Sequence, residues 1–422
     1  MLTRRAFIGT AAAAAIAPYG AIPSARQLRW HELETTAFQH FSINTFTNKE
    51  WGYGDEDPAL FNPTAFDANA IVGALAAGGM RGVILTCKHH DGFCLWPTAA
   101  TKHHVGGTDI VREISQAAAR QGLAFGVYLS PWDRNNAAYG ESEYINIYRQ
   151  QLTELLSSYG PIFEVWFDGA NGGDGYYGGA REKRIIDRNT YYDWPHTWEL
   201  VRRLQPDAVM FSDIGPDVRW VGNERGIAGD PCWATYAPVG VDGGVAGIGN
   251  VRERESTVGT RHGSQWLPAE CDVSIRPGWF WHESENSKVK TPAQLIDLYY
   301  KSAGRGANLL LNVPPNREGL LDAADIASLK AFGDYRRATF AKNLHGTNAM
   351  FNVIRIREDI RYGQRIDSVV VESGGQQIAA ATSIGPRRLI RLERPVSARH
   401  VRLRVTASSA APKIAEFALF SE

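Results

Sequence analysis

Cysteine, methionine and net charge are all scarce here. The 422 residues include 4 Cys and 4 Met, and 45 Lys+Arg balance 45 Asp+Glu. Cys87, Cys94, Cys232 and Cys271 show no Cys-x-x-Cys spacing, which speaks against a zinc ribbon or a disulfide scaffold. Cys87 and Cys271 lie in apolar, strand-like runs and read as small buried hydrophobes; a Cys87–Cys94 bridge is the weaker alternative. Zero net charge argues against a dedicated nucleic-acid binder, which shows a basic excess. After the first 25 residues no apolar run reaches membrane-spanning length. A charged fraction of 21% is too modest for disorder, and 44% apolar residues can build a sizeable core. What is abundant is glycine, with 42, and aromatics, with 12 Trp, 16 Tyr and 17 Phe. A buried indole needs a partner for its N–H, so this many Trp point to a surface built for a polar ligand.

The N-terminus reads as an address. Thr3-Arg-Arg-Ala-Phe-Ile-Gly9 precedes an Ala-rich run from Ala11 to Ala17, the pattern of a twin-arginine export signal over residues 1–25. The expectation is a periplasmic or secreted protein. The blander reading is an Ala-rich first helix of the domain.

Beyond it, short β-rich runs alternate with helical patterns. Strands are expected at 37–43, 82–88, 124–129, 163–167, 208–211, 267–275 and 308–313, with no obvious eighth. Helices are expected at 68–78, 109–121, 144–159, 192–204, 292–303 and 322–341. Continuous apolar strands such as Gly82–Lys88 mark a parallel sheet covered on both faces. The predicted fold class is α/β: a distorted (β/α)8-type barrel over 26–342, with an incomplete helix ring. From 343 to 422 the pattern turns to short alternating strands, a small C-terminal all-β domain.

Each early strand ends in polar and aromatic residues: His40-Phe-Ser-Ile-Asn44, Lys88-His-His-Asp-Gly-Phe93, Tyr128-Leu-Ser-Pro-Trp132 and Glu164-Val-Trp-Phe-Asp-Gly169. In a parallel barrel these ends converge on one face. Two chemistries compete for them. His40, His89, His90 and Asp168 are plausible metal ligands. However, no His-x-His pair follows the first strand, and His89 and His90 would point to opposite faces if both stayed in a strand. The aromatic excess favours carbohydrate chemistry, with rings stacking on sugars and two carboxyls breaking a glycosidic bond. No metal and no cofactor is expected.

These segments resemble those of the α-L-fucosidases of glycoside hydrolase family 29. So do Gly215-Pro-Asp-Val-Arg-Trp-Val-Gly-Asn-Glu224, Glu270-Cys-Asp-Val-Ser-Ile-Arg-Pro-Gly-Trp279 and Asn308-Leu-Leu-Leu-Asn-Val-Pro-Pro315. They occur in family order between about residues 28 and 340. Gly215–Glu224 and Arg276–Trp279 are similar to the subfamily that prefers α-1,3/1,4-linked fucose. The resemblance implies an exo-acting, retaining, double-displacement fucosidase on branched glycans. It implies Asp168 as nucleophile and Glu224 as acid/base. Glu270, read as lying at the mouth of a later strand, is the principal rival for the second role, and Asp217 a weaker one. His40, His89, His90, Tyr128, Trp166, Glu270 and Trp279 are the implied substrate-binding residues, Trp279 against the sugar's methyl group. The Gly- and Tyr-rich loop 171–193 is longer than the pattern requires and bears on the aglycone. The expected partner is a fucosylated oligosaccharide or glycoconjugate, with no nucleic acid and no membrane after export. The alternatives are a catalytically inactive glycan-binding protein, or another α-glycosidase or transfucosidase on the same pocket.

Overall fold

The computed structural model describes residues 17–238 and 251–422. The Arg4-Arg5 pair and the Ala-rich run as far as residue 16 lie outside the described residues, as does the centre of the Gly-rich stretch at 239–250.

Eight parallel strands close into a barrel in chain order. They are β1 (Thr35–Gln39), β2 (Gly82–Lys88), β3 (Ala124–Leu129), β4 (Ile162–Trp166), β5 (Val209–Ser212), β6 (Val218–Trp220), β7 (Ala269–Ser274) and β8 (Asn308–Asn312). The strand that the sequence hides is β6. It is three residues long, follows β5 without a helix, and has Arg219 at its centre. Arg219 is fully buried outside the barrel, donating to the carbonyls of Ser256 (2.9 Å), Trp233 (3.0 Å) and Leu267. A buried Arg with carbonyl partners breaks the apolar pattern without exposing a charge. β1 also starts and stops earlier than expected. The Ser42 hydroxyl accepts the Asn44 N–H and begins a helical turn, Ile43–Thr47, where an extended run was expected.

Strand residues alternate between two cores. Phe38, Ile84, Tyr128, Trp166, Val209, Phe211, Val218 and Leu310 fill the barrel interior, with Trp30 from helix Ala25–Leu33 beneath them. Their neighbours Leu85, Val127, Leu309 and Leu311 face outward onto the helices. Both faces of each strand are therefore dry, and each fully buried aliphatic side chain contributes about 1.5–3 kcal/mol. Helices Ala68–Ala77, Ile110–Gln121, Ser142–Ser158, Trp194–Leu204, Pro292–Lys301 and Ala323–Thr339 form the ring. Asp67, Asp109, Thr291 and Asp322 cap four of them through side-chain acceptors.

The last strands make two three-stranded antiparallel sheets. Met350–Glu358 lies between Arg388–Ser397 and Ile414–Phe420, and Ile366–Ser373 between Gln376–Thr382 and Val401–Ser408. Phe351, Ile354, Ile356, Val369, Val371 and Leu419 form the core between them. The sandwich meets the barrel through Arg387–Glu34 (3.0 Å), Arg388–Asp230 (2.7 Å) and the Phe340–Phe420 ring pair. All four cysteines are buried free thiols, so the Cys87–Cys94 bridge does not form. Among the described residues no helix is long and apolar enough to cross a membrane.

Candidate active site

A cavity of about 180 Å³ lies at the carboxyl ends of the strands. Its lining joins His40, His89, His90, Trp166, Asp168, Glu224 and Trp279 to Phe38, Trp51, Ala170 and Asp272. Strand period explains most of it. Glu164, Trp166 and Asp168 alternate along β4 and its extension, so all three face inward at rising height. A larger apolar cleft of about 660 Å³ lies against Trp30, Leu123, Phe125 and Phe163. Its lining carboxylate, Asp207, is ion-paired to Arg29 at 2.6 Å. That cleft offers no paired carboxyls, and the chemistry sits in the smaller cavity.

Asp168 is held by two donors. The Tyr128 hydroxyl donates to Oδ2 at 2.9 Å and the Ala170 N–H to Oδ1 at 2.7 Å. Tyr128 is fully buried, so it reaches the cavity through this bond while its ring packs on Trp166 and Phe38. Behind Asp168 lies Asp213, whose pKa is pushed up to about 7 by burial and by the Asp168 charge. A Cβ on Gly169 would sit 2.3 Å from Asp213 Oδ2, which explains the glycine after Asp168.

The three histidines are neutral. Burial lowers His40 to about 3 against the pull of its Asn312 hydrogen bond, and lowers His90 to about 4 against the pull of Asp168. His89 is lowered well below its usual value by burial and by the other two rings. His40 Nδ1 lies 3.0 Å from Asn312 Oδ1 and donates to it. His90 Nδ1 lies 2.7 Å from Ser130 Oγ, whose proton goes to the Trp132 carbonyl. In His40 and His90 Nδ1 therefore carries the proton, and Nε2 is left as an acceptor. His90 Nε2 is 3.9 Å from Asp168 Oδ2, close enough to share a hydroxyl with it. His89 and His90 do not remain in a strand: β2 ends at Lys88, the chain turns, and the two rings stand 4.1 Å apart in the same cavity.

Glu224 lies on the exposed rim, in the loop after β6. Partial burial and the charges of Asp168 and Glu50 raise its pKa, and a hydrogen bond from the Trp279 indole opposes them. Trp279 is fixed through its backbone: its N–H donates to Glu50 at 2.8 Å and its carbonyl accepts from Asn312 at 2.7 Å. Arg276 is buried and binds Asp325 (2.9 Å) and Asn286 (2.8 Å), anchoring the loop that presents Trp279.

Glu270 is not at a strand mouth, which corrects the sequence expectation. It is the second residue of β7, level with the first residue of β8, and outside the cavity lining. The residue of β7 that reaches the cavity is Asp272, two places on. Alternation in Glu270-Cys-Asp272 puts both carboxyls inside, and only height within the barrel separates them. Asp272 accepts the Trp220 indole N–H at 2.7 Å, and burial pushes its pKa well up. Asp217 is also away from the cavity, paired with Arg202 and donated to by the Met210 N–H (2.8 Å). Trp51 had no role in the sequence. It is 52% exposed and stands edge-on to His90 and Trp132 at the rim. Arg134 fixes its carbonyl at 2.8 Å and also grips Asp174 in the hairpin Gly173–Gly175/Glu182–Arg184. Loop 171–193 is thereby tied to the cavity rim. Among the described residues no cluster of three or more His, Cys, Asp or Glu has the arrangement of a metal site.

Comparison with known proteins bears on this geometry. The family model described as Alpha-L-fucosidase matches residues 19–339. Alpha-L-fucosidase 1 of Arabidopsis thaliana is 40% identical, over 95% of this chain and 88% of that protein. A glycoside hydrolase 29 family member from an unknown rumen bacterium superposes with a TM-score of 0.89 at 42% identity, covering 96% of this chain and 78% of that one. A Ruminococcus gnavus GH29 fucosidase, solved in complex with fucose, gives a TM-score of 0.82 at 30% identity, over 98% and 97% of the two chains. With the barrel, the cavity and these matches in agreement, the chain belongs to the α-L-fucosidases of glycoside hydrolase family 29.

Proposed function

We propose that this fucosidase is exported and exo-acting, and that it removes terminal α-1,3- or α-1,4-linked fucose from branched glycans with retention of configuration. One observation carries the reading: Asp168 and Glu224 face the same small cavity, between neutral imidazoles and indole faces. The cavity's volume equals about six waters, which suits one sugar ring and not a chain.

In this mechanism Asp168 attacks the anomeric carbon. Tyr128 and the Ala170 N–H hold its carboxylate in one orientation. Glu224, whose pKa is raised by partial burial and by the nearby Asp168 and Glu50 charges, gives its proton to the departing glycosidic oxygen. The glycosyl–Asp168 ester is then opened by water, whose proton Glu224 takes back. The Nε2 acceptors of His40 and His90 bind sugar hydroxyls without adding positive charge beside a carbocation-like transition state. Phe38 and Trp279 offer an apolar wall to the C6 methyl, and burying it is worth about 0.8 kcal/mol. A galactose-type hydroxyl there would lose its water without gaining a partner.

The exposed position of Glu224 and Trp51 supports a leaving group that branches outward from the rim. The Gly215–Glu224 and Arg276–Trp279 segments support the α-1,3/1,4 preference. The Arg4-Arg5 pair and the Ala-rich run that follows support export. The test is digestion of defined α-1,2-, α-1,3-, α-1,4- and α-1,6-fucosylated glycans, reading free fucose and its first-formed anomer. Release from α-1,3 and α-1,4 linkages with retained configuration is expected. Absence of free fucose refutes the hydrolytic reading, fucose moved to an acceptor sugar marks a transfucosidase, and a first-formed inverted anomer refutes retention. An N-terminal sequence of the mature protein that still contains Arg4-Arg5 refutes export by cleavage.

A further inference from the structure

Beneath the sugar cavity the barrel holds two carboxyls that this reaction does not use. Glu164 and Glu270 are both fully buried. Each is two residues below a cavity-lining residue of its own strand, Trp166 on β4 and Asp272 on β7. One oxygen of each takes an indole N–H. Trp30 donates to Glu164 Oε2 at 2.9 Å, and Trp166 donates to Glu270 Oε2 at 3.0 Å. The remaining oxygens, both Oε1, are buried and take no donor among the described residues. The two carboxyls lie close enough for each to act on the other's hold on its proton. Two carboxylates in contact away from water cannot both be ionised, so one proton shared between them satisfies both. Burial and their mutual interaction push Glu164 well above the ordinary range, and burial raises Glu270 to about 7. The result is a buried chain of two indole–carboxyl pairs side by side, Trp30–Glu164 and Glu270–Trp166.

Trp166 is the one member of that chain that reaches the cavity. Its ring lies flat on Phe211, centroids 4.0 Å apart at 8°, and against Tyr128 at 5.4 Å. Stacking alone does not set which way the indole N–H points. The bond to Glu270 fixes that direction. Trp166 is also two residues before Asp168 on the same strand face, so its placement and that of the carboxylate are linked.

We propose that Glu270, backed by Glu164, is a positioning residue that locks Trp166 as the floor of the sugar pocket. The proposal rests on the fucosidase reading of that pocket. It assigns Glu270 a place one layer below the sugar, with no contact to it.

The test is calorimetric binding of L-fucose to the full chain, with melting temperature followed in parallel. The variants are Glu270→Gln, Glu270→Met, Trp166→Phe and the Trp166→Phe/Glu270→Met pair. Gln keeps an acceptor for the indole and can donate to Glu164, so it should bind fucose within about threefold of the parent. Met removes the acceptor and should weaken binding about tenfold, or about 1.4 kcal/mol. Phe at 166 has no N–H to orient, so adding Glu270→Met to it should cost less than threefold. Unchanged affinity in Glu270→Met overturns the proposal. So does an equal loss with Trp and with Phe at 166, because a purely structural role would be additive. If Glu270→Met does not fold, Trp166→Phe decides: unchanged affinity there shows that the floor needs no lock. Failure of the parent protein itself to bind fucose would instead refute the fucosidase reading.

Discussion

Replacing Gly169 by Ala puts the geometry behind Asp168 under direct test. The added Cβ would lie 2.3 Å from Asp213 Oδ2 and 2.6 Å from Oδ1, about an ångström short of ordinary contact. The φ angle of Gly169 is not among the positive ones, so alanine meets no backbone penalty and the effect is steric alone. Asp213 is only partly exposed and lines a narrow pocket with Phe167, Tyr192 and Trp194, so its carboxyl can retreat only a short way. The strain therefore passes to the backbone that carries Asp168. Overpacking of this kind costs about 1–3 kcal/mol of stability. A displacement near 1 Å at a reacting atom costs about a hundredfold in rate. Gly169→Ala should fold, lose a few degrees of melting temperature, and lose about a hundredfold in kcat on a fucosylated oligosaccharide. The Gly169→Ala/Asp213→Ala double variant removes the clashing oxygens and should recover at least tenfold of that loss. A Gly169→Ala enzyme with kcat within threefold of the parent would refute the steric argument, as would a double variant no better than the single one.

Tyr128→Phe removes one of the two donors to Asp168 and keeps the ring packing; kcat/KM should fall about 10- to 100-fold with little change in melting temperature, from the worth of a charge-assisted hydrogen bond. Glu224 must be protonated to act as an acid, and its folded pKa is raised, so activity persists above the ordinary glutamate range and falls as pH rises through that raised value. Glu224→Gln should abolish this alkaline limb together with most turnover of unactivated glycans, as a pH–rate profile would show. Leu311→Ala, at a fully buried position between strand and helices, should lower unfolding free energy by about 2–5 kcal/mol in urea titration. Chelator treatment should leave activity unchanged, measured on the same oligosaccharide.

Much of this site could be read from residue order. The polar ends of β1 to β4 carry His40, His89, His90, Tyr128, Trp166 and Asp168, and a parallel barrel brings such ends together. Height along the barrel axis is what misplaced Glu270. Period-2 alternation says which residues of Glu270-Cys-Asp272 face inward, but not how far up each one sits. Register with β8 sets that, leaving Glu270 in the floor and Asp272 in the cavity wall. β6 was illegible because three residues with a central Arg carry no periodicity, and the guanidinium finds its partners more than ten residues away. Trp51 sits in an irregular stretch after β1 and gains its place only through Arg134, 83 residues on.

The sequence by itself determined the alternation of strand and helix, the all-β tail, the chemistry gathered at the strand ends and the family resemblance. These depend on local spacing and residue type. Tertiary structure alone decided the protonation of the site. His40 and His90 are neutral because burial outweighs their partners, and Glu224 holds its proton more tightly than a free glutamate because its carboxyl is partly desolvated near other acids. It also decided the aromatic surplus that composition shows. Phe38, Trp51, Trp166 and Trp279 line the sugar cavity, while Trp30 seals the barrel from below and Trp96, Trp132 and Trp194 pack in the core. Desolvation and packing are properties of what surrounds a residue in space, and the chain order does not contain them.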